Sequence, residues 1–300
     1  MIIKVFIKKI YSLIPFKRNF YLLIKNFNPP ASIYQHLYFN GEFKIKIDGN
    51  LFFKMIHYGY QLENELFWNG LYHGFEKYSI TIWSELSKTQ SVVFDVGANT
   101  GIYSLIAKAN NRNSFVYAFE PIPAIHNLLV RNCAINSYNI STNCVALSNK
   151  TGDGFIHVDN EKFSYTATIN RNIATHELYK INIKMLTLKD YINRNNIRSI
   201  DLMKIDVEGH EPEVIEGFFE YLLEYKPILL IEILSDDIAD KLKFYFPTND
   251  FYFYNVDERI GIKKVNSLTK SDFYNFYIVP KNKVHLMNEA LSRLNQRISI

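Results

Sequence analysis

The apolar positions in the larger part of the chain alternate between two patterns. Compact apolar runs at Val92–Val96, Phe115–Phe119, Asn143–Leu147, Leu202–Asp206 and Ile228–Ile233 predict buried strands. Between them, Ile102, Leu105, Ile106 and Ala109, and then Ile125, Leu128, Leu129 and Cys133, recur at helical spacing. Pro212, Val214, Ile215, Phe218, Phe219 and Leu222 predict one amphipathic helix with proline in its first turn. Strands alternating with helices in this way read as βαβ units on a parallel sheet. Phe251–Val256 and Tyr274–Val279 predict two closing strands, and Val284–Ile300 a basic C-terminal helix or tail. The less regular stretch from Thr151 to Lys180 reads as an insertion flanked by short strands at Phe155–Val158 and Ile181–Leu186.

Upstream the pattern changes. Phe43–Ile47 and Leu51–Ile56 predict two strands around Asp48-Gly49-Asn50, a glycine turn of the kind that closes a hairpin. Glu63–Leu71 and Ser79–Leu86 predict helices on either side of a loop at Gly70–Gly74. Asn28-Pro29-Pro30 closes an initial basic segment, since paired prolines remove two amide donors. The expected organisation is a basic segment with a short hairpin over residues 1–60, and an α/β domain over 61–300.

Composition narrows the class. Of 300 residues, 48% are hydrophobic and 21% charged, which supplies a large core and excludes wholesale disorder or a collagen-like repeat. Lys plus Arg number 34 against 30 Asp plus Glu, but the surplus is local. Lys4, Lys8, Lys9, Lys17, Arg18 and Lys25 precede the first acid, Glu42, and the rest of the chain carries a small negative balance. A nucleic-acid face needs cations spread through the fold, so nucleic acid is set aside as a partner. Two cysteines, Cys133 and Cys144, are too few for a disulfide scaffold and point to a reducing, cytoplasmic setting. Charges interrupt every apolar stretch of residues 1–27, which fits neither a membrane span nor a signal peptide. That segment can lie on an anionic membrane surface, at the inner face of the membrane, or pack as a basic helix on the body.

Candidate chemistry sits in two loops. The apolar run at Val93 passes into Asp95-Val96-Gly97-Ala98-Asn99-Thr100-Gly101 and then a helix. Such a strand, glycine turn and helix N-terminus suit a carboxylate or phosphate ligand. The glycines are four apart with Asn99 between them, which departs from the dinucleotide pattern of three glycines, and Asp95 would repel a pyrophosphate. Asp95 suits instead the amino group of a bound amino acid, directly or through water, which points to S-adenosyl-methionine. Glu120 ends the next strand, where a carboxylate takes the two hydroxyls of a ribose, and Pro121 then turns the chain. The second loop, Lys204-Ile205-Asp206-Val207-Glu208-Gly209-His210-Glu211, follows another strand and so faces the same crevice. His210 can take a proton from a substrate hydroxyl. Asp206, Glu208, Glu211 and Glu232 are carboxylates that orient such a histidine or hold a hard cation such as Mg2+, while Glu211 and Glu213 also suit the following helix's N-terminus.

From about Gly74 to Val279 the chain resembles the FkbM family of S-adenosyl-methionine-dependent methyltransferases. The resemblance lies in Gly74-Phe75-Glu76, the segment 94–104 (FDVGANTGIYS), Ala118-Phe119-Glu120-Pro121, Ala146-Leu147-Ser148, the segment 200–211 (IDLMKIDVEGHE) and Leu229–Ile233. It implies a Rossmann-like class I methyltransferase: a mostly parallel seven-stranded sheet with an antiparallel final strand, helices on both faces, and here a small N-terminal helical and hairpin extension. It further implies O-methylation, commonly of sugar or polyketide hydroxyls. Carried onto this chain, the resemblance gives Gly97, Asn99, Thr100 and Gly101 to the methionine part of the cofactor and Glu120 with Pro121 to the ribose. Ala146 and Leu147 would border the adenine, Asp206 the sulfonium, and Glu76 would complete the pocket. His210 is the expected base, Asp206 the second choice, with Glu232 as a third catalytic candidate. Two competing readings are a nicotinamide-dependent sugar oxidoreductase and a degenerate cofactor-binding domain docked to a membrane glycan-assembly complex.

Overall fold

The computed structural model describes residues 17–158, 167–168 and 179–298. Lys4, Lys8 and Lys9 and most of the expected insertion lie outside the described residues. The chain divides into two compact units, one ending at Phe75 and the other beginning at Glu76. The helix expected from Glu63 therefore groups with the hairpin and not with the larger unit.

In the smaller unit, α1 (Lys17–Lys25) and α2 (Ala31–Tyr34) precede strands β1 (Gly41–Asp48) and β2 (Leu51–His57), followed by α3 (Gln61–Asn69). The strands pair antiparallel, Gly41 opposite His57. Period-two alternation buries Phe43, Ile45 and Ile47 of β1 and Phe53, Met55 and His57 of β2, leaving Lys44 and Lys46 outward. The core is aromatic. Phe67 meets Phe39 at 4.7 Å and Phe43 at 5.8 Å between centroids, and Trp68 stacks on Tyr34 at 5.9 Å. His57 is fully buried, its Nδ1 accepting from the Gly59 amide at 3.0 Å and its Nε2 3.3 Å from Asn64 Oδ1. Burial draws its imidazole down to about 4.

The larger unit opens with α4 (Lys77–Ser87), β3 (Val92–Val96), α5 (Ile102–Asn110), β4 (Phe115–Phe119), α6 (Pro123–Ile135) and β5 (Ser141–Asn143). Strands β6 (Ala146–Ser148), β7 (Gly152–Val158), β8 (Ala167–Thr168) and β9 (Tyr179–Thr187) follow, then α7 (Leu188–Asn195) and β10 (Leu202–Ile205). The chain continues through α8 (Glu211–Glu216), α9 (Phe219–Tyr225), β11 (Ile228–Glu232), α10 (Asp236–Lys243), β12 (Phe251–Asp257), β13 (Gly261–Val265), β14 (Asn275–Pro280) and α11 (Val284–Ile298). The main sheet runs β13-β12-β14-β11-β10-β3-β4-β5. β5, β4, β3, β10 and β11 are parallel, and the last strand, β14, inserts antiparallel beside β11. This is the expected sheet with an eighth strand, β13, added by a hairpin on β12.

Alternation sorts the strand residues onto two faces. Phe94, Val96, Met203, Ile205, Leu229 and Ile231 join the core under α7, α8, α9 and α10. Val93, Asp95, Leu202 and Lys204 point to the other face, where α4, α5 and α11 pack. Two expectations are corrected. Asn143–Leu147 is not one strand: β5 ends at Asn143 and β6 pairs with β9 in a second sheet of order β6-β9-β7-β8. The helix expected from Pro212 to Leu222 breaks at Gly217, where a Cβ would lie 2.2 Å from the Ser148 carbonyl oxygen. The helix end packs directly on β6, and only glycine allows that approach.

Candidate active site

The turn after β3 takes left-handed backbone at Gly97 (φ +76), Asn99 (φ +50) and Gly101 (φ +96). Its amides are largely spent within the fold. Those of Gly97 and Ala98 donate to the Phe119 carbonyl at 3.0 and 2.9 Å, and that of Thr100 to its neighbour Asn99 Oδ1 at 2.8 Å. The Asn99 amide donates to Glu120 Oε2 at 3.0 Å, and Ile122 donates to Glu120 Oε1 at 3.0 Å. Glu120 thus clamps the turn to the end of β4, and burial pushes its carboxyl up to about 7 against the pull of those two amides. The glycines are required by the chain itself: a Cβ on Gly97 would sit 1.8 Å from the Asp206 carbonyl oxygen, and one on Gly101 2.4 Å from Leu129 Cδ1. Gly97 lets the turn meet the loop after β10, so the two expected loops are brought together.

Asp95 lies beneath this turn. Its Oδ2 accepts from the Ser104 amide at 2.9 Å and hydroxyl at 2.6 Å, anchoring the first turn of α5. Its Oδ1 is buried without a hydrogen-bond partner among the described residues. Opposite Asp95 in the parallel register stands Lys204, a residue to which the sequence reading gave no role. Lys204 is 4% exposed, donates to Asp206 Oδ2 at 2.7 Å and lies 4.8 Å from the Tyr103 ring centroid. Burial alone would lower its ammonium, but the carboxylates of Asp206, Asp95 and Glu76 outweigh it and hold it above the ordinary lysine value. A lysine in the buried run Leu202-Met203-Lys204-Ile205 was the signal for it, because a strand interior admits a charge only with partners.

Glu76 closes the same network. Tyr103 donates its hydroxyl to Glu76 Oε2 at 2.5 Å, and Asn275 donates to Oε1 at 3.1 Å. Burial raises this carboxyl to about 7, and the residue itself holds a left-handed backbone (φ +44). Glu258 fixes the start of α4 beside it, accepting from the Tyr78 amide at 2.7 Å and the Ser79 amide at 3.1 Å.

The loop after β10 gathers further carboxylates. Glu211 is fully buried, and its Oε1 accepts from the Val207 and Gly209 amides at 3.0 and 3.2 Å. Burial lifts Glu211 to about 8, and burial together with the Asp206 charge lifts Glu208 to about 7. Glu232, at the end of β11, is driven far above the usual carboxylate range by burial and by Asp206, Glu208 and Glu211. Asp206 thus interacts with all three. His210 does not join them by contact: its Nε2 is 3.0 Å from Ser148 Oγ and its Nδ1 3.4 Å from Glu213. Burial lowers its imidazole, with Glu213 and Lys150 as its charged neighbours. Leu147 is spent on the main core and Ala146 on a smaller cluster with Ile122 and Ile125. Among the described residues no three His, Cys, Asp or Glu side chains are grouped as a metal ion requires.

The residues fit S-adenosyl-methionine. Each Glu120 oxygen carries one amide and retains lone-pair capacity for a diol. Asp95 keeps a buried oxygen without a partner among the described residues, and the carboxylates around Lys204 outnumber it, which suits a cationic ligand.

Residues 95–247 match the methyltransferase FkbM domain, just over half of the chain. The hexuronic acid methyltransferase AglP of Haloferax volcanii is 28% identical over 140 residues, 46% of this chain and 54% of that protein. The 31-O-demethyl-FK506 methyltransferase FkbM of Streptomyces tacrolimicus is 28% identical over 153 residues, 42% of this chain and 58% of that protein. The chain thus spans little more than half the length of these curated relatives. The crystal structure of a methyltransferase FkbM from Methylobacillus flagellatus is 16% identical, with a TM-score of 0.39, covering 64% of this chain and 44% of that one. With its matched segment running from Asp95 through both loops to the end of α10, the chain belongs to the FkbM methyltransferase domain family.

Proposed function

We propose that the protein is an S-adenosyl-methionine-dependent O-methyltransferase acting on a hydroxyl of a sugar, a glycan or a glycan precursor. The observation that carries this reading is Glu120, which holds the glycine turn at the end of β3 and keeps acceptor capacity on both oxygens. The family supplies the reaction class. The name of one relative, for a 31-O position, supports an oxygen acceptor, and that of the other, for a hexuronic acid, supports a sugar. Two free cysteines support a cytoplasmic setting, and no described helix is long and apolar enough to cross a membrane.

S-adenosyl-methionine, when bound, supplies a methyl group on a positively charged sulfur. In our reading Gly97, Asn99, Thr100 and Gly101 hold its methionine part, Glu120 and Pro121 its ribose, and Ala146 the adenine. Glu76, Lys204 and Asp206 then lie toward the reacting centre. Lys204 fixes the Asp206 carboxylate, and the acceptor hydroxyl must be held in line with its proton within reach of a base. Burial and the neighbouring Asp206, Glu208 and Glu211 favour the protonated form of Glu232, which makes it a hydrogen-bond donor and not a base. Asp206, Glu208 and His210 are the candidate bases for that proton, and His210 Nε2 already meets Ser148 Oγ at 3.0 Å.

Calorimetric titration with S-adenosyl-homocysteine, NAD and NADP, with and without Mg2+, tests the cofactor. Radiolabelled methyl transfer to hexuronic acids and to polyketide alcohols tests the acceptor. Saturable binding of the homocysteine compound and label in the sugar are expected; binding of NAD, or label in the polyketide alone, overturns the respective half of the reading. Glu208→Gln should lose turnover while keeping cofactor affinity, and a fully active variant removes Glu208 from the proton's path.

A further inference from the structure

The first 41 residues contain six cations and no acid, and the function proposed for the larger unit makes no use of them. Their described part shows how one helix is held. Tyr21 of α1 is buried against Trp68 and Phe39, with ring centroids at 5.7 and 6.4 Å. Lys25, one turn further on, donates to the Phe67 carbonyl and lies 5.3 Å from that ring's centroid. These contacts fix one side of α1 to the small unit's core.

The other side is apolar and exposed among the described residues. Phe20 is 61% exposed, Leu23 64% and Phe27, just past the helix end, 84%. Their spacing of three residues sets Phe20 and Leu23 on one helix face, away from Tyr21 and Lys25, and Phe27 follows in the turn after the helix. Leu22 and Ile33 are exposed as well. Single exposed apolar residues are ordinary, but a stripe of large ones on a helix whose opposite side is anchored marks an interaction surface.

Charge selects the occupant. Lys17 and Arg18 begin the helix, Lys4, Lys8 and Lys9 precede it in the sequence, and no acid occurs before Glu42. A second copy would bring the same six cations against them, whereas anionic headgroups complement them while acyl chains receive Phe20, Leu23 and Phe27. We propose that the outer face of α1 is a docking surface for an anionic lipid bilayer.

The full chain, incubated with phosphatidylcholine vesicles containing about a quarter phosphatidylglycerol, should float with them, and bind pure phosphatidylcholine vesicles roughly tenfold or more weakly. Replacing Phe20, Leu23 and Phe27 together by serine removes exposed side chains only. That variant should keep the wild-type circular dichroism and thermal midpoint and lose vesicle binding by about tenfold or more. Lys4→Gln, Lys8→Gln and Lys9→Gln together leave the stripe in place and should weaken binding to the anionic vesicles alone. Unchanged flotation of the serine variant, or equal binding to neutral and anionic vesicles, overturns the proposal. So does a wild-type dimer in sedimentation velocity that the serine substitutions dissociate while no vesicle binding is seen, which would assign the stripe to a second copy. Cofactor titration of the same variants is expected to be unchanged, so this result is separable from the methyltransferase reading.

Discussion

Replacing Lys204 by methionine removes the cation at the centre of the site while filling nearly the same volume. In the folded protein Lys204 is buried, 2.7 Å from Asp206 and opposite Asp95 in register, with Glu76 also within its field. Breaking a buried pair by removing one partner typically costs about 3 to 5 kcal/mol, because the remaining charge stays desolvated. The Asp206 side chain is 30% exposed and recovers some hydration, so we expect the lower end, about 3 kcal/mol. The loss should also depend on pH. Without the lysine, Asp95 and Glu76 lose the charge that favours their ionised forms, and their folded-state pKa values rise further above the ordinary 3.8 and 4.5. Stability from a raised carboxyl is fully present below the unfolded value and lost as pH rises through the folded one. The gap between wild type and variant should therefore be small near pH 4 and full above about pH 8. Urea unfolding followed by circular dichroism across that range measures it. A gap under about 1 kcal/mol at pH 8, or one that is equal at pH 4, would falsify the view of Lys204 as the charge that holds this cluster together.

Other outcomes follow from the same geometry. Gly97→Ala places a Cβ against the Asp206 carbonyl at a positive φ, and should cost about 2 kcal/mol or more and abolish binding of S-adenosyl-homocysteine by calorimetry. Glu120→Gln sets an amide NH2 against the Asn99 or Ile122 amide, and should weaken that binding roughly tenfold or more; unchanged affinity would free Glu120 from its ribose role. His57 is buried and neutral, so the small unit should lose stability as pH falls from 6.5 through about 4, and His57→Gln should flatten that loss in thermal scans.

The parts of the site that rest on local sequence were legible. The turn at 97–101 and Glu120 could be read because strand, glycines and distal acid lie within one βαβ unit. The role of Lys204 is not legible from its own segment, since its meaning depends on Asp95 across the strand register and on the Tyr103 ring beside it. His210 was legible as a titratable group of the second loop, whereas its contact with Ser148, 62 residues distant in sequence, was not, because nothing local announces it. Gly217 is the same case: its helix reads as continuous until the Ser148 carbonyl is seen to occupy the place of a side chain. The added β13 escaped the pattern because Gly261–Val265 is a half-exposed edge carrying Lys263 and Lys264, with no apolar run to mark it.

The two tryptophans of the chain fall one in each unit, Trp68 stacked on Tyr34 and Trp83 fully buried in α4. Trp83 donates its indole N–H to the Tyr103 carbonyl at 3.0 Å, on the residue whose ring lies over Lys204 and whose hydroxyl holds Glu76. Each unit therefore carries its own native optical label. With Trp68→Phe the remaining emission reports the larger unit and the support of its carboxylate network; with Trp83→Phe it reports the hairpin unit. The order in which the units melt, and which of them responds to a ligand or to vesicles, can be read by fluorescence without attaching a dye.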